Sequence, residues 1–191
     1  MKKQIEKQIH QLEKLLDDSN LQATIELVIS TLTISLTQNL PLLVFGNGGS
    51  AADAMHIAGE LVGKFKKNRR PLNVICLNTN SVITSAWSND FDYESVFARQ
   101  VQAHGIAGGI CWGISTSGNS KSVLLGLEEA QKIGMITIGM TGNGAGSINK
   151  YSNLLIAVPS DETPRIQELH LPIYHYICEE IEKNISAIEE N

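Results

Sequence analysis

The chain has 191 residues, 42% of them hydrophobic and 18% charged, with 15 Lys and Arg against 20 Asp and Glu. That is enough for one domain with a true hydrophobic core, and the composition is that of a soluble globular protein. The net charge of −5 argues against a nucleic-acid-coating protein, and no stretch approaches the ~18 apolar residues of a membrane span.

No apolar segment follows Met1-Lys2-Lys3, so no secretory signal is expected. Ile5, Ile9, Leu12 and Leu16 recur at helical spacing among charged residues and predict an amphipathic helix. Asp17-Asp18-Ser19-Asn20 stops it and caps a second, which places Leu21, Ile25, Val28, Ile29, Leu32 and Leu36 on one side. This helical pair, residues 1–40, needs a surface to cover, either the domain's own sheet or another subunit. Leu42 to Phe45 has the length of a buried strand and breaks at Gly46-Asn47-Gly48-Gly49-Ser50. The helix that follows carries His56 and Glu60 on one face, with Ser50 and Asp53 as an approximate capping box.

Lys64 to Arg70 is a basic run ended by Pro71. It reads as a solvated loop, with Lys64 or Arg69 as candidates to reach an anion. Asn73 to Leu77 is a short strand. A short helix, a polar turn at Ser88-Asn89-Asp90 and another helix come next. Gly109 to Ser115 is a strand that runs into the polar loop Ser115 to Ser120 and then a helix through Leu124 and Leu127. Met135 to Met140 is a strand, Thr141 to Gly146 a third glycine loop, and Asn153 to Val158 the last strand. Thr163 as N-cap and Pro164 at the first helical position open a long helix, which Pro172 is expected to kink.

Short apolar strands alternating with helices indicate a doubly wound parallel sheet in a single α/β domain, residues 1–191. The three glycine or serine loops then share the carboxyl edge of that sheet, where ligands bind. In the loop Ser115-Thr116-Ser117-Gly118-Asn119-Ser120, hydroxyls and backbone N–H groups at a helix N-terminus make a neutral cradle for a phosphate monoester, or simply a capped turn. With no GxxxxGK[ST] it is not a nucleotide P-loop, and Gly46 to Gly49 is not the GxGxxG of a dinucleotide site. That loop is expected to lay its backbone against a substrate, with Asn47 and Ser50 hydrogen-bonding it. His56 and Glu60 are either two ligands of one metal or an ordinary polar pair. Cys76, Cys111 and Cys178, odd in number and without CxxC spacing, fit buried thiols in a reducing cytoplasm.

Together, GNGGSAADAMHIAGELVGKF, SNDF at Ser88 to Phe91, GISTSGNS at Gly113 to Ser120, and PRIQELH at Pro164 to His170 with His175 beyond resemble the phosphoheptose isomerases of the sugar-isomerase (SIS) superfamily. The match spans Phe45 to His175 in order. The resemblance implies a five-stranded parallel SIS sheet, a homotetramer with active sites between subunits, a cytoplasmic enzyme, and sedoheptulose 7-phosphate as substrate. His56, Glu60, Gln167 and His175 match the family's zinc ligands, and Glu60 and His175 its acid–base residues. Asn47, Gly48, Gly49, Asn89, Asp90, Ser115, Thr116, Ser117 and Ser120 match its substrate contacts, with Ser50, Glu60 and Gln167 also facing the sugar. Pro172 stands where the family usually lets the helix run straight, and Gly59 where Glu or Ala is more usual.

Gln167 and His175 are separated by about 12 Å of helical rise, whereas zinc ligands converge to ~2 Å from the metal. A kink at Pro172, or ligands from two chains, resolves this, and favours an oligomer. The rivals are a non-catalytic SIS regulator of the DnaA-binding type, which tends to lose the Glu60 equivalent and the terminal His, and an SIS isomerase for another sugar phosphate. Both residues are intact here.

Overall fold

Five short apolar segments pair into one parallel sheet: β1 (Leu42–Gly46), β2 (Val74–Cys76), β3 (Ile110–Ile114), β4 (Ile136–Thr141) and β5 (Leu154–Ala157). Their order is β2-β1-β3-β4-β5, as the doubly wound reading expects. The computed structural model describes residues 1–190; the expected domain runs on to Asn191, which lies outside them.

Alternation along β1 divides the core. Leu42 and Val44 face one side with Trp112, Ile138 and the apolar stripes of α2 (Ser19–Thr37), α3 (Gly49–Val62) and α7 (Thr163–Glu189). Leu43 and Phe45 face the other with α5 (Val96–His104) and α6 (Lys121–Ile133), where Phe45 stacks on Phe97. Strands buried on both faces read as unbroken apolar runs. α3 leaves β1 on one face and α6 leaves β3 on the other, while β1 and β3 are neighbours. The crevice between their carboxyl ends is thus the switch point of the sheet, where ligands bind in such folds.

The remaining helices are α1 (Lys2–Asp17) and α4 (Ser81–Asp90). Asp18 caps α2 by accepting from the Leu21 N–H at 2.9 Å, as its position predicts. Of α1 only Gln11 is buried, and Ile5, Ile9, Leu12 and Leu16 remain exposed. α1 is held by Leu15, which packs against the core, and by polar contacts to the approach of α7: Lys7 with Glu162, and Gln11 with Ser160 at 3.0 Å.

Three local expectations are corrected. Ser88-Asn89-Asp90 is no turn but the last turn of α4, because Asn80 caps that helix through the Ile83 N–H and the ladder continues until Phe91. Asn89 spends its amide on the Asp90 side chain rather than on a backbone turn. Gly48, not Ser50, is the N-cap of α3: its φ of +56° turns the chain at a position that favours glycine, and Ser50 is buried inside the first turn. Glu162 rather than Thr163 is the N-cap of α7, its carbonyl accepting the Ile166 N–H at 2.9 Å. α7 continues as one helix through Pro172, and the buried stripe Ile166, Leu169, Ile173, Ile177 and Ile181 holds it on the core either side of that residue.

Candidate active site

The loops after β1 and β3 and the start of α7 enclose a cleft lined by Asn47, Gly48, Gly49, Ser50, Ile114, Ser115, Thr116, Ser117, Ser120, Thr163 and Gln167. Three helix N-termini, those of α3, α6 and α7, border it. Their first N–H groups lack intrahelical partners, and the helix dipoles favour negative charge there. No Lys or Arg lines the cleft, so its attraction for an anion comes from N–H groups and hydroxyls.

The serine loop is tightly built. Gly118, at φ +65°, donates its N–H to the Ser115 carbonyl at 3.0 Å, and Ser115 Oγ lies 3.5 Å from Ser117 Oγ. The third glycine loop buttresses it: Ser147 N–H donates to Asn119 Oδ1 at 2.9 Å and Gly142 N–H to the Thr116 carbonyl at 3.2 Å. Asn47 is occupied in the same way. Its Nδ2 donates to Ser120 Oγ at 2.6 Å and Ser122 Oγ at 2.9 Å, and its Oδ1 accepts from Tyr93 at 2.6 Å. Asn47, expected to hydrogen-bond a substrate, lines the cleft and also ties the first loop to the second, with both protons of its amide engaged. Asn78 does similar work, bonding the Gly46 N–H and carbonyl at 3.2 and 2.8 Å and so prolonging the sheet beyond β2.

Farther along the α3–α7 pair, His56 Nε2 lies 3.0 Å from Glu60 Oε1 and 3.3 Å from His175 Nε2. These three side chains have one ligand atom each within 4.8 Å of one another. Donors at about 2.0–2.1 Å from a tetrahedral zinc ion are about 3.3 Å apart, so this group fits a single zinc. Imidazole nitrogen and carboxylate oxygen are also the right donor types for it. The fourth expected ligand, Gln167, lies two turns earlier on α7 with its amide against Gly49, where a Cβ would fall 2.8 Å from Gln167 Cδ. Within the chain Gln167 therefore belongs to the cleft, while His56, Glu60 and His175 form the cluster.

Burial first, and then the neighbouring His56, lowers the His175 pKa against the opposing pull of Glu60. Asp53 is pushed up to about 6 by burial, against the Tyr174 hydrogen bond and His56.

Asn89 and Asp90 do not line the cleft; they sit exposed at the end of α4, and Asp90 borders a separate groove with Trp87 and Arg99. Arg69, a candidate to reach an anionic substrate, does not line the cleft and faces Glu182 instead. Its guanidinium donates to the carbonyls of Glu60, Gly63 and Arg70. Lys64 stays exposed.

The SIS domain family matches residues 4–142. The phosphoheptose isomerase of Synechocystis sp. is 44% identical over 187 residues, covering 98% of this chain and 96% of its own. That of Aquifex aeolicus is 46% identical over 158 residues, covering 83% of each. The structure of a phosphoheptose isomerase from Francisella tularensis superposes with a TM-score of 0.89 at 31% identity, covering 95% of this chain and 96% of that one. The chain belongs to the phosphoheptose isomerase family. The comparisons thus favour the isomerase over the regulator among the readings of the sequence.

Seen as a phosphoheptose isomerase, the chain holds several residues that sequence reasoning passed over. Tyr93, Asn78 and Ser122 shape the cleft walls, and Tyr174 backs the His56 cluster. Tyr174 precedes His175 in an apolar stretch and reads as core; only the packing of α7 on α3 reveals its hydroxyl's partner.

Proposed function

We propose that this protein interconverts sedoheptulose 7-phosphate and D-glycero-D-manno-heptose 7-phosphate through an enediol, as a zinc-dependent aldose–ketose isomerase of heptose precursor synthesis. The observation that supports this reading is the meeting of His56, Glu60 and His175 on the same helix pair whose other end frames an anion-fitting cleft.

The phosphate lies against Ser115, Thr116, Ser117 and Ser120 at the N-terminus of α6, with Gly48 and Gly49 letting the sugar approach the backbone. Anchoring the phosphate end fixes the reacting carbons relative to the acid–base pair, which is where orientation contributes to rate. From the ketose, a base removes a proton from C1 while O2 gains one, giving the enediol; O1 then loses its proton and C2 gains one, leaving the aldehyde at C1. Glu60 carries the carbon-bound proton, since Oε1 is turned toward His56 and leaves the second oxygen for this work. His175, its pKa held low, is neutral near pH 7 and moves the oxygen-bound proton. His56, Glu60 and His175 would hold the zinc, and Gln167, which lies in the cleft within the chain, would complete the set from a neighbouring subunit; when bound, the metal would orient and polarise the substrate oxygens.

The enzyme works as a cytoplasmic homotetramer. α4 buries none of its residues, and Val82, Phe91 and Tyr93 on and beside it are exposed, as are Ile5, Ile9, Leu12 and Leu16 of α1. Apolar surfaces of this kind mark contact faces, and a second copy seated on α4 brings Asn89 and Asp90 toward a neighbour's cleft. The three cysteines are free and buried, and among the described residues no helix is long and apolar enough to cross a membrane.

Glu60→Gln and His175→Gln should each slow turnover of sedoheptulose 7-phosphate by ~10²–10⁴-fold. Near-wild-type rates in both would overturn the assignment.

A further inference from the structure

Behind the His56 cluster runs a line of polar atoms that the isomerisation itself does not use. Tyr174 is 1% exposed, with its Oη 3.0 Å from His56 Nδ1 and 3.4 Å from Asp53 Oδ1. Asp53 sits one turn before His56 on α3, and its other oxygen, Oδ2, is buried with no hydrogen-bond partner among the described residues. Tyr174 immediately precedes His175, so the same turn of α7 delivers one member of the cluster and the brace for another.

A phenol has one proton to give, and an ionised carboxylate can only accept. The Tyr174 proton therefore goes to Asp53, and Oη is left as an acceptor. Its remaining partner, His56 Nδ1, must then be the donor. Nε2 is thereby left unprotonated, with its lone pair on the side of Glu60 and His175.

We propose that Tyr174 and Asp53 are positioning residues that fix His56 in the Nδ1–H tautomer and thereby make its Nε2 a donor for the divalent cation held with Glu60 and His175. The inference rests on the metal reading of that cluster. A phenylalanine at 174 would fill the same space in the core, so the hydroxyl, not the ring, carries the effect. Groups that hold the free ring nitrogen of a ligating histidine set its tautomer and orientation, and their loss weakens metal binding.

The test compares wild type, Tyr174→Phe and Asp53→Asn. In metal-free protein, ¹⁵N-detected ring spectra should show His56 of the wild type protonated at Nδ1. Tyr174→Phe should show a tautomer mixture. Asp53→Asn introduces an amide that can donate to Tyr174, allowing the phenol proton to turn to Nδ1 and shifting His56 toward the Nε2–H form. Zn²⁺ affinity, measured by competition with a chromophoric chelator, should fall about 10–100-fold in each variant. Thermal melts check that each is folded, and if Tyr174→Phe fails to fold, Asp53→Asn decides alone. An unchanged tautomer with unchanged Zn²⁺ affinity overturns the relay. A wild type that binds no Zn²⁺ overturns the metal reading instead, and the ring spectra then judge the tautomer assignment by themselves.

Discussion

Arg69 Nε and Glu182 Oε1 face each other at 3.6 Å with both side chains 1% exposed. Around them the basic run closes on the carboxylate: Glu182 accepts the backbone N–H groups of Phe65, Lys66 and Lys67 at 3.0, 2.7 and 2.8 Å. Burial alone would raise the Glu182 pKa, but those three N–H groups and Arg69 bring it below the ordinary value. Because Arg69 also donates to the Glu60 carbonyl at 2.9 Å, the pair ties the end of α3 to α7 across the cluster.

Breaking that pair is therefore expected to be costly. Glu182→Gln leaves a buried guanidinium without its counter-charge, which should lower stability by about 3–5 kcal/mol in urea unfolding. A loss under ~1 kcal/mol, the range of an exposed ion pair, would show that the clasp does not hold the loop.

His170 supplies a pH dependence. It is 0% exposed, its Nε2 lies 3.2 Å from the Thr141 carbonyl, and its Nδ1 is buried without a partner among the described residues. Burial pushes its pKa down to about 4 from an ordinary 6.5, with the Thr141 bond opposing. Between those values the unfolded chain binds the extra proton, so this contribution to stability is present above pH 6.5 and is lost toward pH 4, by roughly 3 kcal/mol in total. Asp53 acts in the opposite sense, since its raised folded pKa of about 6 adds stability as pH falls. The measurement is thus a difference: in chelated protein, the stability gap between wild type and His170→Gln should shrink by that amount from pH 7 to pH 4. A constant gap would contradict the neutral, buried imidazole.

Gly49 and Gln167 test the cleft. A Cβ at position 49 displaces the end of a flexible side chain rather than backbone, so Gly49→Ala should fold and melt near the wild-type temperature. With Gln167 moved, kcat/KM for the sugar phosphate should fall roughly 10²-fold. Gln167→Ala added to that background should cost little more, because the two changes act on one contact.

The strands were legible because the central three, β1, β3 and β4, are buried on both faces, so Leu42 to Phe45 and its fellows stand out as short apolar runs between turn residues. His56 and Glu60 were legible as a pair because helical periodicity alone puts them on one face. The end of α4 was not: Ser88-Asn89-Asp90 has turn composition, and only the Asn80 cap and the ladder running through to Trp87 and Phe91 decide for helix. That α7 continues past Pro172 was not legible either, since it depends on apolar packing on both sides of that residue. Asn47 and Tyr174 were illegible in their actual roles. Each is defined by partners 46 to 121 positions away in sequence, and no local pattern encodes such partners.

The central claim is that this site isomerises a seven-carbon sugar phosphate with the help of a metal held by His56, Glu60 and His175. It is met most directly by following sedoheptulose 7-phosphate by NMR with zinc-loaded protein, chelator-treated protein and chelator-treated protein given Zn²⁺ again. The account predicts the aldose phosphate in the first, little in the second and recovery in the third. Absence of aldose with the loaded protein, or equal rates in all three, would contradict it.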